Sequence, residues 1–219
     1  MKEIGKDIKA MDVVKGVAEG VLSQVPYIGA FVQAVDSVKG NVLQRRYEAW
    51  QEEVGKRISA LEEEVRNGLG GSDSFATTLI KATELAAQTS NIKRVYLANA
   101  VKYAAEHDIP EDDLILLFNA IEKYTTSHIK ILHYLQAPSS LNTDNSQYMA
   151  GGFMTFFEKA YPNFDRQREA LILKELYRDG FINTDSDGTM SFSGMIAKRT
   201  TDFGDLFLSF FGVEEANYE

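Results

Sequence analysis

The chain has 219 residues, 44% of them hydrophobic, and a formal net charge of −9. This length and composition can form a sizeable core and exclude a chain that is disordered on composition. The chain contains no cysteine, which excludes disulfide frameworks, thiolate metal sites and thiol nucleophiles. The acidic balance argues against broad binding to duplex DNA, which depends on neutralising phosphates. The charged N-terminus shows no pattern of a secretory signal peptide.

Two helices separated by a proline are predicted at the N-terminus. The first runs from Gly5 to Gln24, and Pro26 marks the break, because proline lacks a backbone N–H and clashes with the preceding turn. A second, long helix is predicted from Ile28 to about Asn67. We therefore expect an N-terminal helical hairpin that runs into a long helix.

The hairpin contains a run of sixteen residues, from Gly20 to Val35, without a charged side chain. Residues 1–46 carry seven basic and five acidic side chains, so this region is positive in an acidic protein. A transmembrane helix needs about 20 largely apolar residues, so the run is too short and too broken for a simple span. Three roles stay open: the core of a soluble helical domain, an interfacial anchor, or a bundle-forming segment with close helix contacts.

A membrane role would give the hairpin's polar side chains a purpose. In an oligomeric channel they could face a wet lumen, whereas in a monomeric span they would be costly. The positive flanks would suit anionic lipid headgroups. The candidate pore and membrane residues are Gly16, Glu19, Gly20, Gln24, Pro26, Gly29, Phe31, Gln33 and Asp36.

The later half of the long helix is charged but keeps apolar residues at spacings of three, four or five. This pattern is close to a heptad repeat and indicates a seam that packs on another helix or mediates self-association. The candidate oligomerisation residues are Tyr47, Trp50 and Val54. A glycine-rich linker, NGLGGSDS, ends the helix and contains a predicted N-cap at Ser72 or Ser74.

A compact helical unit follows the linker. Helical periodicity predicts helices over about 75–90, 92–107, 111–124 and 127–136, and a polar linker covers 137–147.

The last part of the chain changes character. Helices are predicted from Tyr148 to Tyr161, from Arg166 to Asp179 and from Thr200 to Phe211. Gly180 is expected to cap the second of them in the left-handed conformation. Between the last two helices, FINTDSDGTMSFSG predicts two short strands joined by an Asp/Gly turn.

The predicted fold class is mainly α, with the N-terminal hairpin, a central helical bundle and a winged-helix-like C-terminal unit that carries a small β-hairpin. Three domains are expected. Residues 1–66 form the membrane-active and oligomerisation helices, 67–137 the central helical domain, and 138–219 the winged-helix-like domain.

The helix from Arg166 could contact a ligand or nucleic acid. Its candidate residues are Arg166, Arg168, Lys174 and Arg178. Four carboxylates accompany them, namely Asp165, Glu169, Glu175 and Asp179. We therefore expect this helix to present a nearly neutral face, which favours a partner-binding or structural role over recognition of duplex DNA.

No motif predicts a catalytic or metal site. NTDSDG resembles the opening of a calcium loop, but Gly194 stands where the twelfth position requires a glutamate. The three histidines do not have metal-ligand spacing, and we expect them to be surface residues or satisfied helix residues. There is no dinucleotide fingerprint, phosphate-binding loop or nucleophile elbow. We predict no enzyme activity, no cofactor and no metal.

Three stretches together carry a family resemblance. They are the hairpin with Pro26 and Gly29 that runs into IGAFVQAVDSVKGNVLQRRYEAW, the helix TTSHIKILHYLQAP, and the tail LYRDGFINTDSDGTMSF followed by TTDFGDLFLSFF. This order resembles bacterial anti-phage defence proteins in which a small-residue hairpin is the membrane-active effector. It is most similar to the channel-type effector that partners a nucleotidyltransferase in Hailong-type systems.

The resemblance implies a homo-oligomer, with a tetramer expected, that permeabilises the membrane and kills or arrests the infected cell. It also implies control by an oligonucleotide that the nucleotidyltransferase makes. The expected partners are membrane lipid, further copies of the chain, the nucleotidyltransferase and its product. The expected location is the bacterial inner membrane, or the cytoplasm until activation.

Two alternatives stay open. The first is a soluble helical adaptor or regulator whose winged-helix unit binds a protein or DNA. The second is an enzyme whose site no motif marks.

Overall fold

The computed structural model describes residues 41–69, 72–141, 150–185 and 188–213. These residues are mainly α-helical, as predicted, and contain ten α-helices and one small two-stranded antiparallel sheet. The predicted N-terminal hairpin lies before the first described residue. The chain divides into two compact units. The first contains the residues up to 123 together with Phe210–Gly212, and the second contains the remainder from Tyr124 onward. The predicted three-domain organisation stays a prediction.

Five helices form the described part of the first unit. They are α1 (Asn41–Ser59), α2 (Glu63–Gly68), α3 (Asp73–Gln88), α4 (Asn91–Glu106) and α5 (Glu111–Lys123). Helices α3 and α4 pack on each other, α1 lies against both, and α5 lies against α3. The predicted spans of α3, α4 and α5 are confirmed to within two residues.

Serine caps set where α3 and α4 begin. The Ser72 hydroxyl accepts a hydrogen bond from the backbone N–H of Phe75 at 3.2 Å, and the Ser90 hydroxyl accepts one from that of Lys93 at 3.5 Å. Each bond satisfies a backbone donor that has no partner within its helix. Ser72, one of the two predicted caps, is thus the N-cap of α3.

The predicted continuous helix as far as Asn67 is wrong at its end. Helix α1 stops at Ser59, and α2 begins only at Glu63. The intervening turn places Leu61, which is 5% exposed, in the core. Glu63 and Glu64 then occupy the first turn of α2, where the positive end of the helix dipole favours carboxylates.

The heptad-like seam of α1 lies inside the first unit. Tyr47, Trp50 and Val54 are 7%, 1% and 1% exposed. The indole N–H of Trp50 donates to the Thr83 hydroxyl on α3 at 3.2 Å. The apolar spacing of α1 therefore serves packing within the chain, because α3 and α4 supply the facing helices.

Three residues from the end of the described chain complete the first unit. The Phe210 ring meets the edges of Phe118 and Tyr103 at centroid distances of 6.0 and 5.7 Å. The Asn99 amide donates to the carbonyl oxygens of Phe211 and Gly212, both at 3.1 Å. The core of the first unit is thus closed by residues that lie far away in sequence, 112 positions in the case of Asn99 and Phe211.

The second unit has a different organisation. Its elements are α6 (Thr126–Gln136), a 3-10 helix (Pro138–Leu141), β1 (Ala150–Gly151), α7 (Thr155–Ala160), α8 (Arg166–Arg178), β2 (Met190–Ser191), α9 (Phe192–Met195) and α10 (Asp202–Phe210), the last residue of which belongs to the first unit. Helix α8 packs on α6. The predicted spans of α6, α8 and α10 are confirmed to within two residues. Gly180 has a φ of +82°, so its predicted left-handed conformation is confirmed.

The predicted helix from Tyr148 is wrong in its first half. Ala150 and Gly151 form β1, and α7 begins only at Thr155. Two adjacent glycines disfavour a helix here because they lose the most backbone entropy on folding. A Cβ atom on Gly151 would lie 2.9 Å from the Thr155 hydroxyl oxygen, so the close approach also requires a glycine.

The predicted hairpin within residues 181–194 is also wrong. Its second strand exists as β2, but β2 pairs antiparallel with β1, with Ala150 opposite Ser191 and Gly151 opposite Met190. Ile182, which was expected to belong to the first strand, instead forms a bridge with Thr200. The turn residues predicted that β2 pairs with the strand just before it in sequence, whereas β2 pairs with β1, which precedes α7 and α8.

Asp205 on α10 accepts three side-chain hydrogen bonds. Thr200 donates at 2.6 Å, Gln136 donates at 3.1 Å, and Lys198 forms an ion pair with the same carboxylate. Burial raises the pKa of Asp205, but the three hydrogen bonds together outweigh burial and hold the pKa below its usual value. The carboxylate is therefore ionised across the neutral range.

We expect Asp205 to contribute an acid-dependent part of the stability. A carboxyl group whose pKa is lower in the folded state stabilises the protein above its unfolded pKa of about 3.9, and this contribution is lost as pH falls through the folded pKa. Asp205→Asn should therefore flatten the decline of the melting temperature below about pH 4. The control is Asp202→Asn, an exposed position on the same helix. An identical acid profile for wild type and Asp205→Asn would contradict this account.

Candidate functional site

The predicted site residues fall into three groups. All nine candidate pore residues lie outside the described residues, so their role stays a prediction. The seam residues of α1 lie in the core of the first unit. The four basic candidates all lie on α8 and are exposed to solvent. The candidate residues that are both described and exposed therefore all lie on α8.

Two of the four basic side chains on α8 have acidic neighbours. Arg166 donates to the Glu158 carboxylate at 2.7 Å, and Arg178 donates to Asp179 at 3.3 Å. Arg168 and Lys174 are exposed between them. All four side chains are exposed to solvent, and the ion pairs of Arg166 and Arg178 offset part of their charge.

The carboxylates of α8 and of its two caps differ in exposure and in their hydrogen-bond partners. Glu169 is 5% exposed, and Glu175 accepts a hydrogen bond from His128 at 2.8 Å. Asp179 accepts one from the Tyr124 hydroxyl at 2.8 Å. Asp165 caps the helix by accepting from the backbone N–H of Gln167 at 2.9 Å. The Glu175 side chain is nevertheless 39% exposed and Asp165 is exposed, so the expected near neutrality of this helix face stays a prediction.

His128 belongs to α6, and its side chain lies between α6 and α8. Its side chain is 7% exposed in total and stacks on the Tyr124 ring with a centroid distance of 5.0 Å and an interplanar angle of 5°. The backbone N–H of Thr125 donates to Nδ1 at 3.3 Å. Nδ1 is thus an acceptor, and Nε2 carries the proton that is donated to Glu175. His128 is a satisfied helix residue, as predicted.

Tyr124 and His128 together position the C-terminal half of α8. Burial, together with the hydrogen bond to Asp179, raises the pKa of Tyr124, so its hydroxyl stays protonated and continues to donate. Both side chains hold carboxylates of α8 on the α6 side. Sequence reasoning missed this arrangement, and its signal was the polar run Tyr124-Thr125-Thr126-Ser127-His128 at the start of a helix.

Helix α8 also exposes apolar surface. Leu171 is 63% exposed and Tyr177 is 48% exposed. Residues three or four positions apart share one side of a helix, so Gln167, Leu171, Lys174 and Arg178 form one stripe. We call this stripe, with Arg168 and Tyr177 at its edges, the basic face of α8. Cations beside an aromatic ring suit a ligand with phosphates and stacking rings.

A small concavity lies in the first unit. Its volume is about 220 Å³, and its lining includes Leu85, Leu97 and Lys93. The Lys93 ammonium donates to the carbonyl oxygens of Ile121 and Glu122 at 2.7 and 3.3 Å, and burial lowers its pKa. Lys93 thus satisfies the C-terminal carbonyls of α5. The volume is below the roughly 300 Å³ typical of a ligand pocket.

The described residues contain neither a helix that could span a membrane nor a cluster that could bind a metal. None of the helices found there combines the length and the apolar character needed to cross a bilayer. Across the same residues, no three His, Asp or Glu side chains are grouped so that they could hold a metal ion.

Comparisons with known proteins identify no relative. No protein-family model matches the chain. The search of curated proteins found no match, and the search of solved structures found none either. The resemblance to Hailong-type effectors therefore stays a prediction, and the function proposed below depends on the residues of this chain alone.

Proposed function

We propose that the chain is a membrane-active effector of bacterial anti-phage defence whose activity is controlled by an anionic ligand. Residues 12–44 would form a homo-oligomeric pore or ion channel. The second unit would bind an oligonucleotide made by a partner nucleotidyltransferase. The uncharged run with positively charged flanks supports the membrane part, and the basic face of α8 supports the ligand part.

The basic face of α8 is the observation on which the ligand part depends. All four cations are exposed, while Glu169 is buried and Glu175 and Asp179 accept hydrogen bonds from His128 and Tyr124. Arg166 and Arg178 also pair with Glu158 and Asp179, so the proposal depends mainly on Arg168 and Lys174. Tyr177 adds an exposed ring beside Lys174 and Arg178. Phosphates would pair with the cations, and a base could stack on the ring.

A short single strand suits this face better than a long duplex. The protein as a whole is acidic, and the segment that follows α8 carries Asp185 and Asp187. The exposed Asp185 carboxylate would repel the phosphates of a duplex that extends beyond the helix. A short oligonucleotide can be accommodated on α8 alone.

The order of elements supports a second candidate function. Helix α6, strand β1, helices α7 and α8 and strand β2 follow one another as in a winged-helix unit, with α8 in the place of the helix that enters the major groove. A soluble adaptor or regulator that binds duplex DNA or a protein through α8 is therefore the alternative.

We expect a short, labelled oligodeoxythymidine to bind the full chain, as measured by fluorescence anisotropy. Lys174→Gln and Arg168→Gln should each weaken binding, because each removes a phosphate contact. Each should also reduce the slope of log K against log salt concentration by about 0.7. Lys102→Gln, an exposed position on α4, is the matched control.

Two outcomes would contradict this proposal. If both α8 variants bind the oligonucleotide with unchanged affinity, the oligonucleotide does not bind at α8. Tighter binding to a duplex with the same number of phosphates would favour the adaptor alternative.

A further inference from the structure

A half-buried lysine lines the small concavity of the first unit. It is Lys93, the third residue of α4. Leu85 and Leu97 contribute apolar lining to the same concavity, and Gln88 and Thr89 contribute polar groups. Small-molecule sites in proteins usually combine apolar lining with a few polar groups in this way.

Two backbone carbonyls fix the position of the Lys93 nitrogen. Nζ donates to the carbonyl oxygens of Ile121 and Glu122 at 2.7 and 3.3 Å. Both carbonyls lie in the last turn of α5, where the helix itself offers them no donor. Within the described part of the chain, Nζ has no third hydrogen-bond partner. One of its three hydrogen-bonding positions is therefore open.

These two hydrogen bonds do not require the charged form of Lys93. A lysine ammonium has three N–H groups, whereas a neutral amine has two, so the neutral form can keep both bonds. The remaining position of the neutral nitrogen is then a lone pair, which is the nucleophile in lysine chemistry. The two carbonyls thus hold the nitrogen in place and leave its lone pair available for reaction.

The surroundings of Lys93 favour the neutral amine more than water does. Burial lowers the pKa of Lys93, and the nearby Glu122 carboxylate, which raises the pKa, offsets only part of this effect. Burial also lowers the pKa of Lys130, but the Lys130 ammonium lies 3.7 Å from the centre of the Tyr161 ring, where a cation is favoured. Lys93 is therefore the better candidate for a reactive amine.

We propose that Lys93 is a modification site that forms an imine with small aldehydes that enter the concavity. The lone pair on Nζ forms a bond to the carbonyl carbon of the aldehyde, and the π electrons of the carbonyl group move to its oxygen. The adduct then loses this oxygen as water, which takes both amine hydrogens, and the N=C double bond forms. The step involves no oxidation or reduction, and water reverses it.

The size and lining of the concavity define the class of aldehyde. Its volume of about 220 Å³ is smaller than the roughly 300 Å³ of a typical ligand pocket, which favours a short chain over a bulky ring system. The apolar side chains of Leu85 and Leu97 favour an alkyl chain over a charged one. A short aliphatic aldehyde such as butanal meets both conditions.

Imine formation should also loosen the last turn of α5. A neutral imine has no N–H, so the carbonyl oxygens of Ile121 and Glu122 would both lose the donor that now satisfies them. This effect is independent of the proposed function, because it involves neither the N-terminal hairpin nor α8.

Competitive labelling of the full wild-type chain tests the site. Limiting butanal with sodium cyanoborohydride near neutral pH reduces each imine to a stable secondary amine, and peptide mass spectrometry shows which lysines carry it. Lys93 should be labelled several times faster than Lys102, an exposed lysine on the same helix. Labelling of Lys93 that is no faster than that of Lys102 would overturn the proposal.

The pH and the size of the aldehyde separate the two causes of this preference. Because the pKa of Lys93 is lowered, the ratio of the Lys93 rate to the Lys102 rate should fall as pH rises toward the usual lysine pKa of about 10.4, where an exposed lysine also loses its proton. With 1-naphthaldehyde, which is too bulky for the concavity, the ratio should fall to about one. A ratio that changes with neither pH nor aldehyde size would refute a site built by this concavity.

Lys93→Arg provides a matched variant, because the guanidinium keeps N–H donors for the two carbonyls of α5 but does not form the imine. The fast phase of butanal labelling should disappear in Lys93→Arg and persist in Lys102→Arg. A melting curve checks that both variants are folded. A fast phase that persists in Lys93→Arg would place the reactive amine elsewhere and overturn the proposal.

Discussion

Removal of residues 1–40 is expected to abolish leakage of dye from anionic liposomes and toxicity in expressing cells. The removed segment contains the whole uncharged run and most of the positive flanks that would bind anionic lipid. The cut keeps every described residue of α1 (Asn41–Ser59), including Arg46, which donates to the Ala87 carbonyl oxygen on α3 at 3.3 Å. A melting curve should show that the rest of the protein remains folded.

Point variants test the same prediction in the full chain. Gly20→Leu and Gly29→Leu replace small residues that would allow close helix contacts in a bundle, and each is expected to block leakage. Val35→Leu keeps the apolar character of the same run and is the control. Retained leakage in both glycine variants, or in the truncated protein, would contradict a pore formed by the hairpin.

Trp50→Ala is expected to lower the free energy of unfolding by about 3–5 kcal/mol. The Trp50 side chain is 1% exposed, so the truncation leaves a cavity between α1, α3 and α4. It also removes the hydrogen bond to the Thr83 hydroxyl. Urea denaturation of the full chain measures the effect.

Trp50→Phe partly separates the two contributions, because it keeps a six-membered aromatic ring in the core and removes the indole N–H together with the five-membered ring. Its expected effect is smaller, since a single hydrogen bond contributes about 1 kcal/mol. The seam was also predicted to assemble subunits. A Trp50→Ala variant could instead keep its stability but form a smaller oligomer. That result would show that the seam forms a contact between copies, and it would contradict the role of the seam in the core.

Helix positions were largely predictable because the relevant signals are local. The spans of α3, α4, α5, α6 and α8 followed from apolar periodicity and from caps such as Ser72. The errors arose where contacts with residues distant in sequence determine the local structure. Ala150 and Gly151 form a strand only because β2 lies alongside, and the break after Ser59 accompanies the burial of Leu61.

The sequence predicted the span of α8 correctly, and the candidate ligand contacts on this helix stay a prediction. Counting along the helix gave four cations and four carboxylates, because a count does not distinguish sides. The side that Glu175 and Asp179 occupy depends on His128 and Tyr124, which lie about fifty residues earlier.

The sequence by itself determined the mainly helical class, most helix boundaries and the uncharged N-terminal run, because propensity, capping and periodicity act within a few residues. Only the tertiary structure decided that the seam of α1 is internal, that β2 pairs with β1, and that His128 and Tyr124 hold the carboxylates of Glu175 and Asp179. Each of these outcomes depends on which side of an element is buried. Burial is set by contacts between residues distant in sequence, and local patterns do not carry that information.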